Sequence, residues 1–340
     1  MGRYIIRRSL FAIPTLVVIG MIIFAILDLA PGDPTSQLPL NVPVEVRDRI
    51  REALGFDDPF MVKWLKWMRL MFINEPLYAI NSLFGTCFVE CPEDLDRIIS
   101  WSSRTPAFDI IIERIPQTVW VLGLAFILGI VIAIPVGVIS AYKQYSAFDN
   151  IGTLVTMVGY SLPVFFTGLL SIVIFSVWLG WFPTFYTTTH VVDFTSWDSI
   201  WFQIKQMIMP VAVLSLFNAA ALSRFTRASM LDNLNEDYVR TARSKGLGET
   251  KVVMTHVMRN SLIPVVTLIA LQVPGIFAGA IITEQIFRIN GLGQLLITSI
   301  NSADIPMVQT LTFLFAFLIV VFNLVADVTY GALDPRIRYD

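Results

Sequence analysis

NEDYVRTARSKGLGETKVVMTHVMRNSLIP, residues 235–264, is a polar interruption between two long apolar segments. It carries five Lys or Arg. Asn235 can cap a helix whose first turn holds Glu236 and Asp237 and whose later turn holds Arg240, Arg243 and Lys245, so both ends oppose the helix dipole. Gly246 then supplies the stop. A second helical run from about Glu249 puts Val252, Val253, His256 and Val257 on one face, and Pro264 opens the next apolar span. The pattern predicts a short amphipathic helical hairpin held at a membrane surface, a shape suited to docking in a groove of a soluble partner.

Hydrophobic residues make up 55% of the 340, and the mean hydropathy is +0.69. That is too apolar for a soluble protein and predicts an all-α polytopic membrane protein. Two cysteines and two histidines are too few for a multi-ligand zinc site, so no metal site is expected. No Gly-x-x-x-x-Gly-Lys-Ser/Thr loop, His-Glu-x-x-His or Gly-x-Ser-x-Gly occurs, so neither ATP binding nor catalysis by this chain is expected. No nucleic-acid partner is expected either.

Six spans follow from the hydropathy. Arg3, Arg7 and Arg8 precede an apolar run from Ser9 to Ala30, which is long enough to cross a bilayer and lacks a small-x-small cleavage site; it reads as a retained first helix, kinked near Pro14. Gln117 to about Ala141 is the second span. Ile151 to Leu179 is the third, with Gly159-Tyr160-Ser161-Leu162-Pro163 at its middle. Pro210 to about Ser223, Pro264 to Thr283 and Met307 to Tyr330 complete the set. Polar or broken backbone in mid-membrane is tolerated only where protein buries it or a wet cavity takes it in, which makes Tyr160, Ser161 and Pro163 candidates for a solute path; close helix packing at the glycines is the competing explanation. Gln272 lies inside the fifth span. Asn323 and Asp327 share a face one turn apart in the sixth, as a path or gate pair or as an interhelical contact.

Charge sets the orientation. Seven Lys or Arg fall between Arg224 and Arg259, whereas the two later loops on the other side carry one each, Lys205 and Arg288. The basic side, with both termini, is assigned to the cytoplasm. Residues 30–116 hold 13 acidic and 9 basic residues and form an extracytoplasmic segment opened by a rigid Pro31-Gly32-Asp33-Pro34 turn. Within it Val44 to Leu54 and Phe60 to Phe72 read as amphipathic helices, the second with interfacial Trp64 and Trp67. Cys87 and Cys91 lie there too. An oxidising compartment allows them a disulfide that closes a small ring and contributes about 2 kcal/mol; two unrelated thiols are the other reading. Trp181, Trp197 and Trp201 form an interfacial belt in a further outer loop. Residues 284–306, half apolar with Gly291 and Gly293, read either as a re-entrant gate or as an interfacial helix.

YVRTARSKGL followed by HVMRNSLIP resembles the conserved cytoplasmic loop of permease subunits of ATP-binding-cassette importers, in the dipeptide and oligopeptide branch. The general family pattern has a Glu-Ala-Ala triplet before the glycine; here it falls on Arg240, Thr241 and Ala242, of which only Ala242 matches, and the step from Gly246 to Pro264 is longer than in the sugar-importer form. The Pro-Gly-Asp-Pro after the first helix, the Gly-Leu-Gly at 291–293 and the closing Asp334-Pro335-Arg336-Ile337-Arg338 are similar to the same branch, although Asn290 stands where a proline is usual. The resemblance implies the type I importer permease fold: six transmembrane helices with an extracytoplasmic insertion between the first and second. The implied organisation is residues 1–30 for tail and first helix, 31–116 for the outer segment, and 117–340 for a five-helix core with a coupling loop at 225–263.

The resemblance also implies a function: a permease subunit moving dipeptides, oligopeptides or related solutes across the inner membrane by alternating access. Relatives carry nickel chelates, glutathione, opines or oligosaccharides. The implied partners are a second homologous permease, two ATP-binding-cassette ATPase subunits or domains that use ATP and Mg, an extracytoplasmic solute-binding protein and the bilayer; no cofactor is bound by this chain. Glu236, Tyr238, Arg240, Thr241, Ala242, Arg243, Lys245 and Gly246 become mechanical contacts to the ATPase, not catalytic groups. A non-transporting membrane scaffold or signalling subunit, recruiting a partner through the same hairpin, is the reading of another class.

Overall fold

A computed structural model describes residues 2–30, 35, 42–53, 55–85, 95–187, 190, 192–279 and 281–333. The Pro31–Pro34 turn, the Cys87/Cys91 pair and the Asp334–Arg338 ending lie outside the described residues. The fold is all-helical, with one isolated bridge, Ile99 to Pro106, among the described residues. Among the described residues five helices are long and apolar enough to cross a membrane, six if one sharply bent pair counts as a single span.

In chain order, α1 is Gly2–Asp28, α2 Val44–Ala53, α3 Phe60–Arg69 and α4 Glu75–Phe84. Helix α5, Ala107–Thr118, runs through a π-helical turn at Val119–Gly123 into α6, Leu124–Tyr142. The expected second span is thus the later part of a 36-residue helix. Next come α7, Ala147–Ser161, and α8, Val164–Ser171, extended by π-helical Ile172–Trp178. They meet at 102°. Pro163 has no N–H to give and forces Leu162 into extended backbone, φ −85° and ψ 132°, so the helix ends where the proline dictates.

Helix α9, Trp197–Leu234, has 38 residues, about 57 Å at 1.5 Å per residue, well beyond a hydrocarbon core of about 30 Å. The expected fourth span, Pro210 to Ser223, is only its middle, because the polar flanks on either side keep helical geometry and Pro210 is absorbed without a break. After α10, Asp237–Ser244, the chain forms α11, Glu249–Lys251, a π-helical turn Val252–Val257 and α12, Met258–Gly279, as one continuous helix. Pro264 therefore lies inside a helix that has already started. The chain ends with α13, Ile281–Phe287, α14, Leu292–Asn301, and α15, Ile305–Leu333.

Two compact units emerge. The first comprises Met1–Ser9, Gln117–Gly293 and Ile319–Asp340. Its spine is the α6–α9 seam. Ala125, Gly129, Ala133, Gly137 and Ala141 recur every fourth residue on α6 and are all buried, giving a groove of small side chains that lets backbones approach closely. At Gly137 the approach leaves no room for a side chain: a Cβ would lie 2.6 Å from Thr226 Cβ and 2.7 Å from the Ser223 carbonyl oxygen. Arg227 on α9 reaches the buried Asp149 on α7 through two bonds, Nε to Oδ1 at 2.8 Å and Nη2 to Oδ2 at 2.9 Å. The amide of Tyr145 adds a third bond to that carboxylate.

The second unit comprises Leu10–Pro116 and Gln294–Leu318. Its keystone is Asp304, fully buried, which accepts from the Trp101 and Ser102 amides at 3.0 and 3.1 Å and from the Ser100 and Ser102 hydroxyls. It also accepts from the Met307 amide, capping α15. Arg97 forms a second knot, bonded to Glu75 and Asp109 and stacked 3.8 Å from the Tyr78 ring centroid. Burial alone lowers the Arg97 pKa, and its bonds to Glu75 and Asp109 outweigh that and hold it above the ordinary range. Asp28, at the end of α1, pairs with Lys63 of α3.

Candidate functional site

The hairpin at 236–257 divides cleanly into an inner and an outer face. Val239, Ala242, Val252, Val253 and Val257 are buried, and they pack in one cluster with Val138 and Ala141 of α6 and Met230 of α9. His256, expected on the same face, is half-buried. Tyr238 is partly buried and donates its hydroxyl to Asn233 Oδ1 at 2.7 Å. Glu236, Arg240, Thr241, Arg243, Lys245 and Gly246 are exposed.

Local chemistry explains the shape. Asn235 closes α9 and Glu236 takes the N-cap position, with extended backbone and no side-chain cap bond; the cap expected of Asn235 moves one residue on because α9 runs up to it. Gly246 has φ +75°, a left-handed turn that most side chains resist. Across that turn Arg243 donates to Glu249 through Nη2 at 2.6 Å and Nε at 3.1 Å. Those bonds raise the Arg243 pKa above its ordinary value.

The underside of the knob is thus continuous with the packed ends of α6 and α9, and Ser229 on α9 donates to the Ser261 carbonyl on α12 at 2.8 Å. Arg240, Thr241, Arg243 and Lys245 therefore stand on the exposed side of a packed layer that includes Val138 and Ala141 of α6 and Met230 of α9.

The residues singled out for a solute path do not form one site. Tyr160 stacks on Phe217, ring centroids 6.0 Å apart, and remains 51% exposed at the α7–α8 break. Ser161 bonds back to the Met157 carbonyl, and Pro163 sits at the start of α8. Gln272 is half-buried on α12 and Asn323 is exposed on α15. Asp327 pairs with Arg8 of α1 at 2.7 Å. Gly291 and Gly293 are buried: a Cβ on Gly291 would collide with the Glu284 carboxylate, and one on Gly293 would lie 2.6 Å from Ile281 Cα. Thr118 ties that turn together, donating to Glu284 at 2.8 Å and accepting from the Leu292 amide at 2.8 Å. Thr118, Glu284 and the Asp149–Arg227 pair were missed in the sequence. Only Ser146, three residues before Asp149 and its N-cap, hinted at order there.

Bilayer-length helices around a small-residue seam, one of them broken in mid-course, with a packed polar knob at one end, are the build of a polytopic membrane protein. The family follows from comparison. Residues 133–339 match the family described as binding-protein-dependent transport system inner membrane component, and residues 1–122 match its N-terminal companion. Among curated proteins the chain is 38% identical to the oligopeptide transport system permease protein AppB of Bacillus subtilis over 340 residues, all of both chains. It is 35% identical to the glutathione transport system permease protein GsiC of Escherichia coli, again over all of both. A putative peptide transport system permease of Brucella abortus is 34% identical at the same coverage. A chain of the crystal structure of an amino acid ABC transporter superimposes with a TM-score of 0.51 at 11% identity, covering 66% of this chain and 94% of that one, a likeness of fold.

The chain belongs to the inner membrane permeases of binding-protein-dependent ABC transporters, in the peptide and glutathione subfamily. It is a multi-pass component without an ATPase site of its own, and its system implies a binding protein and an ATPase as partners.

Proposed function

We propose that this permease carries peptides, with oligopeptides first, and that the knob at 236–257 receives the push of the partner ATPase. The reading rests on one observation above others: the exposed residues Arg240, Thr241, Arg243 and Lys245 ride on an underside sealed to α6 and α9. Two ATPase subunits or domains, using ATP and Mg, close in the cytoplasm; the knob moves with them, and the seam re-packs between outward-open and inward-open arrangements. A second homologous permease completes the path, and a solute-binding protein delivers cargo to the outer face. Both termini lie in the cytoplasm in this reading. Tyr160, Ser161 and Pro163 at the α7–α8 break line the path. The glutathione permeases among the relatives favour glutathione as the second cargo to try.

The test is uptake of labelled oligopeptide and of glutathione into proteoliposomes holding the complete transporter. Arg240→Glu, fully on the outer face, should leave the chain assembled and folded while lowering uptake and solute-stimulated ATP hydrolysis about tenfold or more. Normal uptake and hydrolysis by Arg240→Glu would remove the coupling role. Uptake of neither cargo by the unaltered transporter would remove the peptide reading.

A further inference from the structure

A cavity of about 400 Å³ lies wholly inside the second unit, among the end of α1, helix α3, the segment 96–101 and the start of α15. That is the size of a small-ligand site. The apolar span of α1 stops at Asp28 and that of α15 begins at Ile305, and both residues line the cavity. It therefore stands at the level where hydrocarbon gives way to headgroups. Its walls change character in the same sense: Phe24 and Leu27 are apolar, whereas Lys63, Lys66, Asp96 and Arg97 are charged. Ile22 and Ile26 of α1 are exposed, so an acyl chain has an apolar surface to follow away from it.

The charges narrow the ligand. Lys63 is paired with Asp28, and Arg97 with Glu75 and Asp109. Lys66 and Asp96 have no ion-pair partner among the described residues. The Lys66 ammonium reaches the wall itself, 3.8 Å from where a Cβ on the lining residue Gly55 would lie. Asp58 approaches the same position, so the wall holds no surplus of positive charge and a purely anionic headgroup gains little there. Trp67 belongs to the wall too, and its buried indole N–H meets no acceptor among the described residues, whereas buried donors normally have one. One unpaired cation and one unpaired carboxylate in a cavity at this depth match a zwitterion that carries a tail.

We infer that this cavity holds the headgroup of an aminophospholipid. Lys66 donates to the phosphate, Asp96 accepts from the primary ammonium, and the acyl chains run along α1. Both contacts are charge-assisted hydrogen bonds, the strong kind. A trimethylammonium headgroup lacks the N–H that Asp96 takes, and a glycerol headgroup lacks the cation. The inference concerns a resident lipid and holds whichever solute is carried.

The experiment is native mass spectrometry of the complete transporter, stripped of lipid in detergent and titrated with phosphatidylethanolamine, phosphatidylcholine and phosphatidylglycerol of the same acyl chains. Wild type should bind phosphatidylethanolamine about tenfold or more tighter than the other two, the usual worth of a charged hydrogen bond. Lys66→Gln should weaken phosphatidylethanolamine and phosphatidylcholine alike by about tenfold. Asp96→Asn should bring phosphatidylethanolamine down to the level of phosphatidylcholine and leave phosphatidylcholine unchanged. Lys205→Gln, in the other unit, should alter neither. Before lipid is added all three variants should melt with wild type, and phosphatidylethanolamine should raise the midpoints of wild type and Lys205→Gln alone. Equal binding of the three lipids, or binding that neither Lys66→Gln nor Asp96→Asn changes, would mean annular lipid only and overturn the inference. Displacement of the lipid by a millimolar tripeptide would give the cavity to solute, and loss of the fold in Lys66→Gln or Asp96→Asn would mark a structural charge; either result overturns it as well.

Discussion

Replacing Gly137 by alanine tests the seam directly. In most helices that change stabilises by about 1 kcal/mol, because alanine has less chain entropy to lose. At Gly137 the new methyl would stand 2.6 Å from Thr226 Cβ, 2.7 Å from the Ser223 oxygen and 2.9 Å from Thr226 Cγ2. Relief requires α6 and α9 to part by about 1 Å, and overpacking of this kind costs about 1–3 kcal/mol. The propensity gain offsets part of it, leaving a net loss of about 1–2 kcal/mol. Gly123 in the same continuous helix is the internal control, since nothing lies within 4 Å of its would-be Cβ. Thermal midpoints of the purified protein in one detergent, at one scan rate, should fall by a few degrees for Gly137→Ala and hold or rise for Gly123→Ala. Thr226→Ala should rescue only part of the loss, because the Ser223 carbonyl cannot be trimmed. A Gly137→Ala midpoint equal to that of Gly123→Ala would refute the close approach of α6 and α9.

Further outcomes follow from the buried charges and the knob. Arg227→Ala strands the Asp149 carboxylate and should cost about 3–5 kcal/mol, while the double change Asp149→Leu with Arg227→Met should recover most of that, read in the same thermal assay. Asp304→Ala leaves the Ser100, Trp101 and Ser102 donors without their shared acceptor and should cost about 2–4 kcal/mol, with proteolytic nicking appearing first between residues 95 and 106. Val252→Ala removes two buried methyl groups and should lower stability by about 2 kcal/mol; Arg240→Glu should not change it measurably. Melting of the two variants side by side separates a weakened fold from a lost docking contact.

The sequence was most legible where physics is local. Apolar runs located the spans, Gly246 located the turn, and Pro163 located the break, although not its 102° angle, which depends on what α8 packs against. The inward valines of the knob followed from spacing alone. Helix length was less legible: the Trp-rich approach to α9 and the basic stretch after Ser223 read as loop because hydropathy falls there, yet the backbone continues as helix through both. Least legible were partnerships across distance. Arg227 and Asp149 lie 78 residues apart and Thr118 and Glu284 lie 166 apart, and no periodicity relates such positions. Gly291 and Gly293 were picked out as path candidates, whereas their contacts are those of a turn pressed against Glu284.

The union of the knob's second arm with α12 sets a rule for how this chain can vary. A helix turns about 100° per residue, so one amino acid inserted between Val257 and Val265, both fully buried, would swing the valine face of the arm away from α6 and α9 and open the packed layer beneath the knob. The exposed turn at Gly246 and Gly248 can take extra length without turning anything. Insertions among descendants of this gene should therefore gather at that turn and be absent from the shaft, a constraint imposed by screw geometry and not by the cargo.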